Sequence, residues 1–168
     1  MKKQQTHTIQ RSLSKIVVNA GVGRLRSMQQ FDDKILPEIE KELAIITGQK
    51  PAERKAKKSI STFKIREGEV VGLQITLRKQ RMYDFLSKIA NVVLPRVKDF
   101  RGLALSNVDH DGNLNIGFRD QLVFPEINPE KSRVSFGIQV TIVPKERNRE
   151  GAIDLYRSHG VPLRRSDK

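Results

Sequence analysis

The amino-acid sequence predicts an α+β fold in two layers, in which a mainly antiparallel sheet carries helices on one face and leaves a basic face open. Two segments, residues 70–78 and 134–142, alternate apolar and polar side chains with the period of a β-strand. Three others repeat apolar residues every three or four positions, as helices do. Shorter strands complete the predicted order β-α-β-β-α-β-β-α.

The N-terminal third is expected to contain a strand and a helix. Residues 15–20 (KIVVNA) are rich in β-branched side chains, which favour a strand. The helix follows from a stripe of apolar residues, namely Phe31, Ile35, Ile39, Leu43 and Ile46. Asp32 and Asp33 are candidates for its N-terminal cap, and Gly48 for its C-terminal cap. Because proline is tolerated only in the first turn, Pro37 indicates that this helix begins late or bends there.

The middle of the chain predicts a β-hairpin. Residues 55–66 are expected to form a long basic strand, which the loop 66–69 joins to the strand 70–78. One face of that second strand is apolar and consists of Val71, Leu73, Ile75 and Leu77. The other face contains Val70, Gly72, Gln74, Thr76 and Arg78. Such a strand turns one face to the core and leaves the other accessible to a ligand.

The C-terminal half predicts a helix, two strands and a last helix. The helical stripe, which Pro95 is expected to end, consists of Met82, Phe85, Leu86, Ile89, Val92 and Val93. A strand over residues 114–118 follows an Asp111-Gly112 turn, and another covers residues 134–142. The last helix, residues 148–159, is expected to bury Ala152, Leu155 and Tyr156.

Length and composition limit the possible classes of protein. The 168 residues are expected to form one domain over residues 15–165, between a basic N-terminal tail (1–14) and a short C-terminal tail (166–168). The absence of Cys excludes disulfides, thiolate metal sites and a Cys nucleophile. No apolar run is long enough to cross a bilayer or act as a secretory signal, so a cytoplasmic protein with no membrane-spanning segment is expected.

The net charge of +13 favours a polyanionic partner, with nucleic acid the first choice and an acidic membrane surface the second. Residues 1–30 have a net charge of +6, residues 49–67 of +5 and residues 68–101 of +4, whereas residues 31–48 (−3) and 102–143 (−2) are acidic. The acidic segments suit a protein partner or solvent. Because no aromatic side chain is evident on the open face, and Phe63 is expected in the core, recognition of RNA backbone and shape is favoured over base stacking.

Other kinds of site are less well supported by the sequence. The glycines at 21 and 23 follow a strand as in a dinucleotide fingerprint, but residue 26 is Arg, so a strand-ending turn is favoured. Four residues have the spacing of a calcium loop, namely Asp109, Asp111, Asn113 and Asp120. Leu114 replaces the glycine that such a loop requires, which favours a hairpin turn. No catalytic set surrounds the three histidines, so neither a catalytic residue nor a cofactor is expected.

Two further classes of function compete with RNA binding. A nucleic-acid-processing enzyme would need carboxylates beside the basic face, yet Glu67 and Glu69 lie at a loop tip. A module for a protein or membrane surface would need a strongly amphipathic basic helix, which the sequence does not contain.

Eight stretches, in order, are similar to the universal large-subunit ribosomal protein five family, which binds 5S rRNA. They are 15–23 (KIVVNAGVG), 46–51 (ITGQKP), 55–68 (KAKKSISTFKIREG), 72–78 (GLQITLR), 81–85 (RMYDF), 94–103 (LPRVKDFRGL), 112–125 (GNLNIGFRDQLVFP) and 150–165. Each is weak alone, but together they cover about residues 15–165 and are specific. The resemblance implies a non-enzymatic structural protein that helps attach 5S rRNA in the central protuberance, with its open sheet face on the RNA.

The resemblance also implies which residues bind. The expected rRNA contacts are Lys15, Asn19, Gln49, Lys50, Lys57, Lys58, Ser59, Thr76 and Arg78. The loop expected to touch P-site tRNA contains Lys64, Arg66, Glu67, Gly68 and Glu69. The bridge to small-subunit ribosomal protein thirteen is expected at Arg96, Asp99, Arg101, Asp111 and Arg119. The other implied partners are 23S-type rRNA and neighbouring proteins of the central protuberance.

Two departures from the family pattern are visible. Only fourteen residues precede Lys15, where members usually have a helix, so a shortened N-terminus with a basic, RNA-threading tail is expected. Pro37 is unusual for the first helix of the family and puts the local helix geometry in question, without affecting the fold.

Overall fold

The structure, a computed structural model, describes residues 12–63 and 65–164. Most of the predicted N-terminal tail, the side chain of Phe63 and all of Lys64 lie outside the described part. The strands are β1 (Leu13–Gly21), β2 (Ala52–Lys55), β3 (Val70–Leu77), β4 (Leu114–Phe118) and β5 (Ile138–Pro144). The helices are α1 (Leu36–Thr47), α2 (Lys79–Lys88) and α3 (Arg149–Ser158).

The five strands form an antiparallel sheet in the order β2-β3-β1-β5-β4. Along the chain the described strands and helices alternate as β-α-β-β-α-β-β-α, so the predicted α+β class and element order are confirmed. Burial alternates along β1, β3 and β5, which places one face of these strands in the core and leaves the other face half-buried.

The chain forms two compact units, whose boundaries fall within β1, β3, β4 and β5. The first unit contains the described residues among 1–17, 76–117 and 140–168, and the second contains residues 18–75 and 118–139. The expected single domain over residues 15–165 stays a prediction.

In the first unit, α2 and α3 contribute their apolar sides to a core with the strand residues. The buried side chains include Ile16, Leu77, Phe85, Ile89, Ile116, Val140, Ile142 and Tyr156. Asn148 caps α3, because its side-chain oxygen accepts a hydrogen bond from the backbone N–H of Glu150 (3.1 Å). Leu155, expected in the core, is only half-buried.

In the second unit, α1 buries the predicted stripe against strand residues and the segment after β4. The buried side chains include Val18, Phe31, Ile39, Leu43, Ile46, Leu73, Ile75 and Phe124. A π-helical turn, Phe31–Ile35, precedes α1, and Pro37 falls at the second position of the α-helix, near its start, where proline is tolerated. Gly48 ends the helix with φ of 68°, as predicted, but neither Asp32 nor Asp33 caps its start.

The predicted basic strand over residues 55–66 is wrong. The strand β2 covers only Ala52–Lys55, and its pairing with β3 places Lys55 opposite Val70, the first residue of β3. Residues beyond Lys55 therefore have no partner on β3, and 56–69 form a loop instead of a strand and a four-residue turn. In the described part of that loop, the strand-like pairing is one antiparallel bridge between Ile60 and Ile65.

Two predictions of which residues face the core also fail, each for a local reason. The register of β2 and β3 shifts between Arg54 and Lys55, and this irregularity leaves Val70 buried and Val71 half-buried, the reverse of strict alternation. After α2, the π-helical turn Ile89–Val93 leads into a last α-helical turn, Leu94–Arg96. The wider turn rotates the apolar stripe, so Val92 is exposed.

Candidate nucleic-acid interface

Polar side chains occupy the half-buried face of β1 and β3, opposite the core. On β1, Lys15 and Asn19 alternate with the buried Ile16 and Val18, as the sequence predicted. On β3, Gln74 and Thr76 alternate with buried neighbours in the same way. The strands fix the face from which these side chains project, and their amide, hydroxyl and ammonium groups can donate hydrogen bonds there. Lys15 and Thr76 belong to the first unit, and Asn19 and Gln74 to the second.

In the second unit the edge strand β2 adds exposed cations. All four of its residues are exposed. Ala52 pairs with Gln74, and Arg54, two residues further along β2, projects from the same face of the sheet, so Arg54 lies beside Gln74. The Arg54 guanidinium donates to Oε1 of Gln74 through Nε (2.7 Å) and also through Nη2. Arg54 was not among the residues predicted to contact rRNA, although its hydrogen bonds to Gln74 place it beside that polar side chain.

The turn after α1 presents two predicted contact residues. The Thr47 hydroxyl donates to the carbonyl of Leu43 (2.7 Å) and also lies 3.1 Å from the carbonyl of Gln49. With the left-handed Gly48, this contact fixes the chain direction, so that Gln49 is half-buried and Lys50 is exposed.

The loop 56–69, called the basic loop below, is closed at its base. The N–H of Ala56 donates to the carbonyl of Glu69 (2.8 Å), and the N–H of Gly68 donates to the carbonyl of Ala56 (2.9 Å). Ser59, a predicted rRNA contact, accepts a hydrogen bond from the N–H of Glu67 (2.9 Å). The exposed residues of the loop include Lys57, Lys58, Arg66, Glu67 and Gly68.

Arg26 joins the base of the basic loop to the π-helical turn before α1, a role that the sequence pattern did not predict. Its guanidinium lies 3.3 Å from Glu69, 3.4 Å from Asp32 and 3.2 Å from the carbonyl of Val70, which accepts a hydrogen bond. It also lies over the ring of Phe31, 5.3 Å from the centroid. Glu69 in turn accepts a hydrogen bond from the N–H of Arg66 (2.8 Å). The carboxylate of Glu69 is therefore engaged within the protein.

The residues predicted to bridge to a protein partner fall into both units. In the first unit, Arg96 ends the helical segment, and Asp99 follows with a left-handed φ of 56°. Arg101 and Asp111 are exposed in the same unit, Asp111 at a hairpin turn. Arg119 is exposed in the second unit, directly after β4.

The calcium-like spacing has a structural explanation. Both carboxylate oxygens of Asp109 accept hydrogen bonds from Asn113, one from its N–H (2.7 Å) and one from its side-chain amide (2.8 Å). The segment is the predicted hairpin turn, with Gly112 at φ of 81° and a bridge between Val108 and Leu114. No group of three or more potential metal ligands occurs within residues 12–63 and 65–164. In the same part of the chain, no helix has the length and apolar character required to cross a membrane.

Comparison with known proteins agrees with this architecture. Residues 11–66 match the family described as "Ribosomal protein L5", and residues 70–163 match the C-terminal region that is described for the same ribosomal family. Proteins named "Large ribosomal subunit protein uL5" are similar over 153 residues. The one from Fusobacterium nucleatum is 46% identical, covering 91% of this chain and 81% of the relative. The one from Thermus thermophilus is 45% identical and covers 91% of this chain and 82% of the relative. The one from Pseudothermotoga lettingae is 48% identical and covers 91% of this chain and 81% of the relative. The chain therefore belongs to the ribosomal protein L5 family.

Proposed function

We propose that this chain binds 5S rRNA and helps attach it in the central protuberance of the large ribosomal subunit. Membership of the family makes it a structural protein of that subunit and not an enzyme. The observation that carries the finer proposal is that β1 and β3 each alternate polar side chains with buried ones, with Lys15, Asn19 and Thr76 among the polar residues.

The chemistry of these side chains suits RNA backbone and minor groove. Amide and hydroxyl groups can donate to phosphate oxygens and exchange hydrogen bonds with 2′-hydroxyls, while cations neutralise phosphates. In the second unit, Arg54, Lys50 and two lysines of the basic loop, Lys57 and Lys58, add exposed charge near a strand edge. The alternating positions of β1 and β3 on this face carry no aromatic ring, which favours recognition of shape and backbone over base stacking.

The remaining partners are proposed from the same resemblance. The basic loop contacts P-site tRNA through its exposed residues Arg66, Glu67 and Gly68, and 23S-type rRNA is a second nucleic-acid partner. The exposed Arg96, Asp99, Arg101 and Asp111 of the first unit contact small-subunit ribosomal protein thirteen. Neighbouring proteins of the central protuberance complete the set.

Titration of the full chain with 5S rRNA at several salt concentrations tests the proposal, with an unrelated RNA hairpin as the competitor. We expect preferential binding of 5S rRNA and a linear fall of log K with log salt, by about 0.7–0.9 for each phosphate contact. Equal affinity for the unrelated hairpin would contradict the proposal.

A further inference from the structure

A groove in the second unit contains arginines that the predicted RNA contacts do not include. It encloses about 1050 Å³ and is called the arginine groove below. Its lining includes Gly21, Arg24, Arg26, Glu69, Arg119 and Ser135. The groove therefore lies where β1 ends, beside the base of the basic loop and the chain that follows β4.

Two of the three arginines in the groove have a guanidinium charge that no carboxylate of the described structure neutralises. Arg24 and Arg119 are exposed, and neither guanidinium forms an ion pair or a hydrogen bond within the described part of the chain. Arg26 is different, because Asp32 and Glu69 neutralise it. Glu69 is the only carboxylate among the lining residues, and it is paired with Arg26, so the groove has a net positive charge.

The lining of the groove favours an extended anion over a small cation. Gly21 has no atom within 4 Å of where a Cβ would lie, so a bound chain could approach the backbone closely there. The lining also includes Leu25, Ile65 and Phe136, whose apolar side chains offer no ligand to a metal ion. The Ser135 hydroxyl donates to Asp120, outside the lining, at 2.7 Å.

We propose that the arginine groove holds a stretch of RNA sugar-phosphate backbone, with Arg24 and Arg119 each neutralising a phosphate. The proposal rests on the proposed function in that the ligand is RNA, and it assigns Arg119 to RNA in place of a protein partner. Arg26 is a positioning residue, which fixes the base of the basic loop against the groove.

The test compares Arg24→Gln and Arg119→Gln with Arg133→Gln. Arg133 is an exposed arginine of the same unit, but it lines a different groove, beside Glu38 and Glu126. Each variant removes one positive charge, so differences between them report location and not net charge. All three side chains are exposed, and thermal unfolding checks that the fold is unchanged. Binding is measured over a salt series with two separate RNAs, 5S rRNA and a tRNA.

Loss of one phosphate contact should make the negative slope of log K against log salt shallower by about 0.7–0.9, which corresponds to about sixfold weaker binding at 0.1 M salt. We expect this loss for Arg24→Gln and Arg119→Gln and none for Arg133→Gln. The RNA for which the slope of log K against log salt changes is the RNA that binds in the arginine groove.

The outcomes separate the two proposals. If the wild-type chain prefers 5S rRNA, but all three variants bind both RNAs alike, the groove proposal is overturned and the proposed function stands. If the wild-type chain shows no preference for 5S rRNA, but Arg24→Gln and Arg119→Gln alone weaken binding, the groove proposal is supported and the proposed function fails.

Discussion

At the scale of single residues, Gly112 illustrates a position where the backbone admits one residue type. It has φ of 81°, and a Cβ at this position would lie 2.8 Å from the Cβ of Ala152 and 3.0 Å from the carbonyl oxygen of Asn148. The Tyr156 hydroxyl also donates to the carbonyl of Gly112 (2.7 Å). The hairpin turn is thus packed directly against α3, which the Asp111-Gly112 turn motif alone does not reveal.

We predict that Gly112→Ala lowers the free energy of unfolding by roughly 2–4 kcal/mol, the combined cost of a left-handed non-glycine residue and of overpacking. Gly160→Ala is the matched control, since Gly160 has φ of 77° but no atom within 4 Å of the place that a Cβ would occupy. Its cost should be only the backbone part, about 1–2 kcal/mol. Denaturant unfolding measures both, and equal losses would show that the contact with α3 is unimportant.

His159 should make stability depend on pH. Burial lowers the pKa of His159 below its ordinary value of 6.5, and its buried Nε2 has no hydrogen-bond partner in the described structure. The folded state therefore favours the neutral ring. The contribution of the neutral His159 ring to stability is fully present above pH 6.5, the ordinary pKa, and is lost as the pH falls through the lowered pKa of the folded state. Unfolding midpoints measured between about pH 8 and pH 5 should fall more for the wild type than for His159→Asn, and parallel curves would contradict this.

At the scale of elements, the sequence predicts what depends on local periodicity and fails where distant pairing decides. The apolar stripe of α1 and the apolar side chains that alternate along β1 are buried as predicted, because helix and strand periods are local properties of the sequence. The end of β2 depends on where β3 begins, and the exposure of Val92 depends on a π-helical turn. Neither feature is visible in the residue pattern alone.

Gln121 links elements of the second unit through a buried hydrogen-bond network. Its amide nitrogen donates to the carbonyl of Val134 (2.7 Å) and lies 3.2 Å from Glu42 of α1, while its amide oxygen accepts from the N–H of Phe136 (3.0 Å). The side chain is 1% exposed, so a replacement leaves these groups without water. Glu42, one of the acidic residues of 31–48, is buried beside this network and therefore adds little to the negative charge on the surface.

We predict that Gln121→Leu lowers the free energy of unfolding by about 2–4 kcal/mol, because each unsatisfied buried polar group costs about 1–3 kcal/mol. Gln139→Leu makes the same change on an exposed side chain of β5, and we expect a loss below about 0.5 kcal/mol. Thermal and denaturant unfolding of both variants provide the measurement. A loss for Gln121→Leu as small as that of the control would mean that the network adds no stability.

At the scale of the whole molecule, the structure shows which charges remain available to a partner. The sequence alone has a net charge of +13 and suggests only a polyanion. Several carboxylates are engaged internally, since Asp32 and Glu69 pair with Arg26 and Asp109 holds a hairpin turn. The polar face of β1 and β3 could be anticipated from alternation. The arginine groove could not, because it gathers residues far apart in the sequence.

The affinity of 5S rRNA for Asn19→Ala and Thr76→Ala tests the central claim most directly, with Asn91→Ala as the control. Asn91 is exposed on the helical turn after α2, and its side-chain amide donates to the hydroxyl of Ser87 in α2. If Asn19 and Thr76 each bond a phosphate oxygen, their loss should cost about 1.5–3 kcal/mol, or roughly 10- to 150-fold in Kd. We predict that loss for both variants and none for Asn91→Ala. Unchanged affinity in Asn19→Ala and Thr76→Ala would contradict the account.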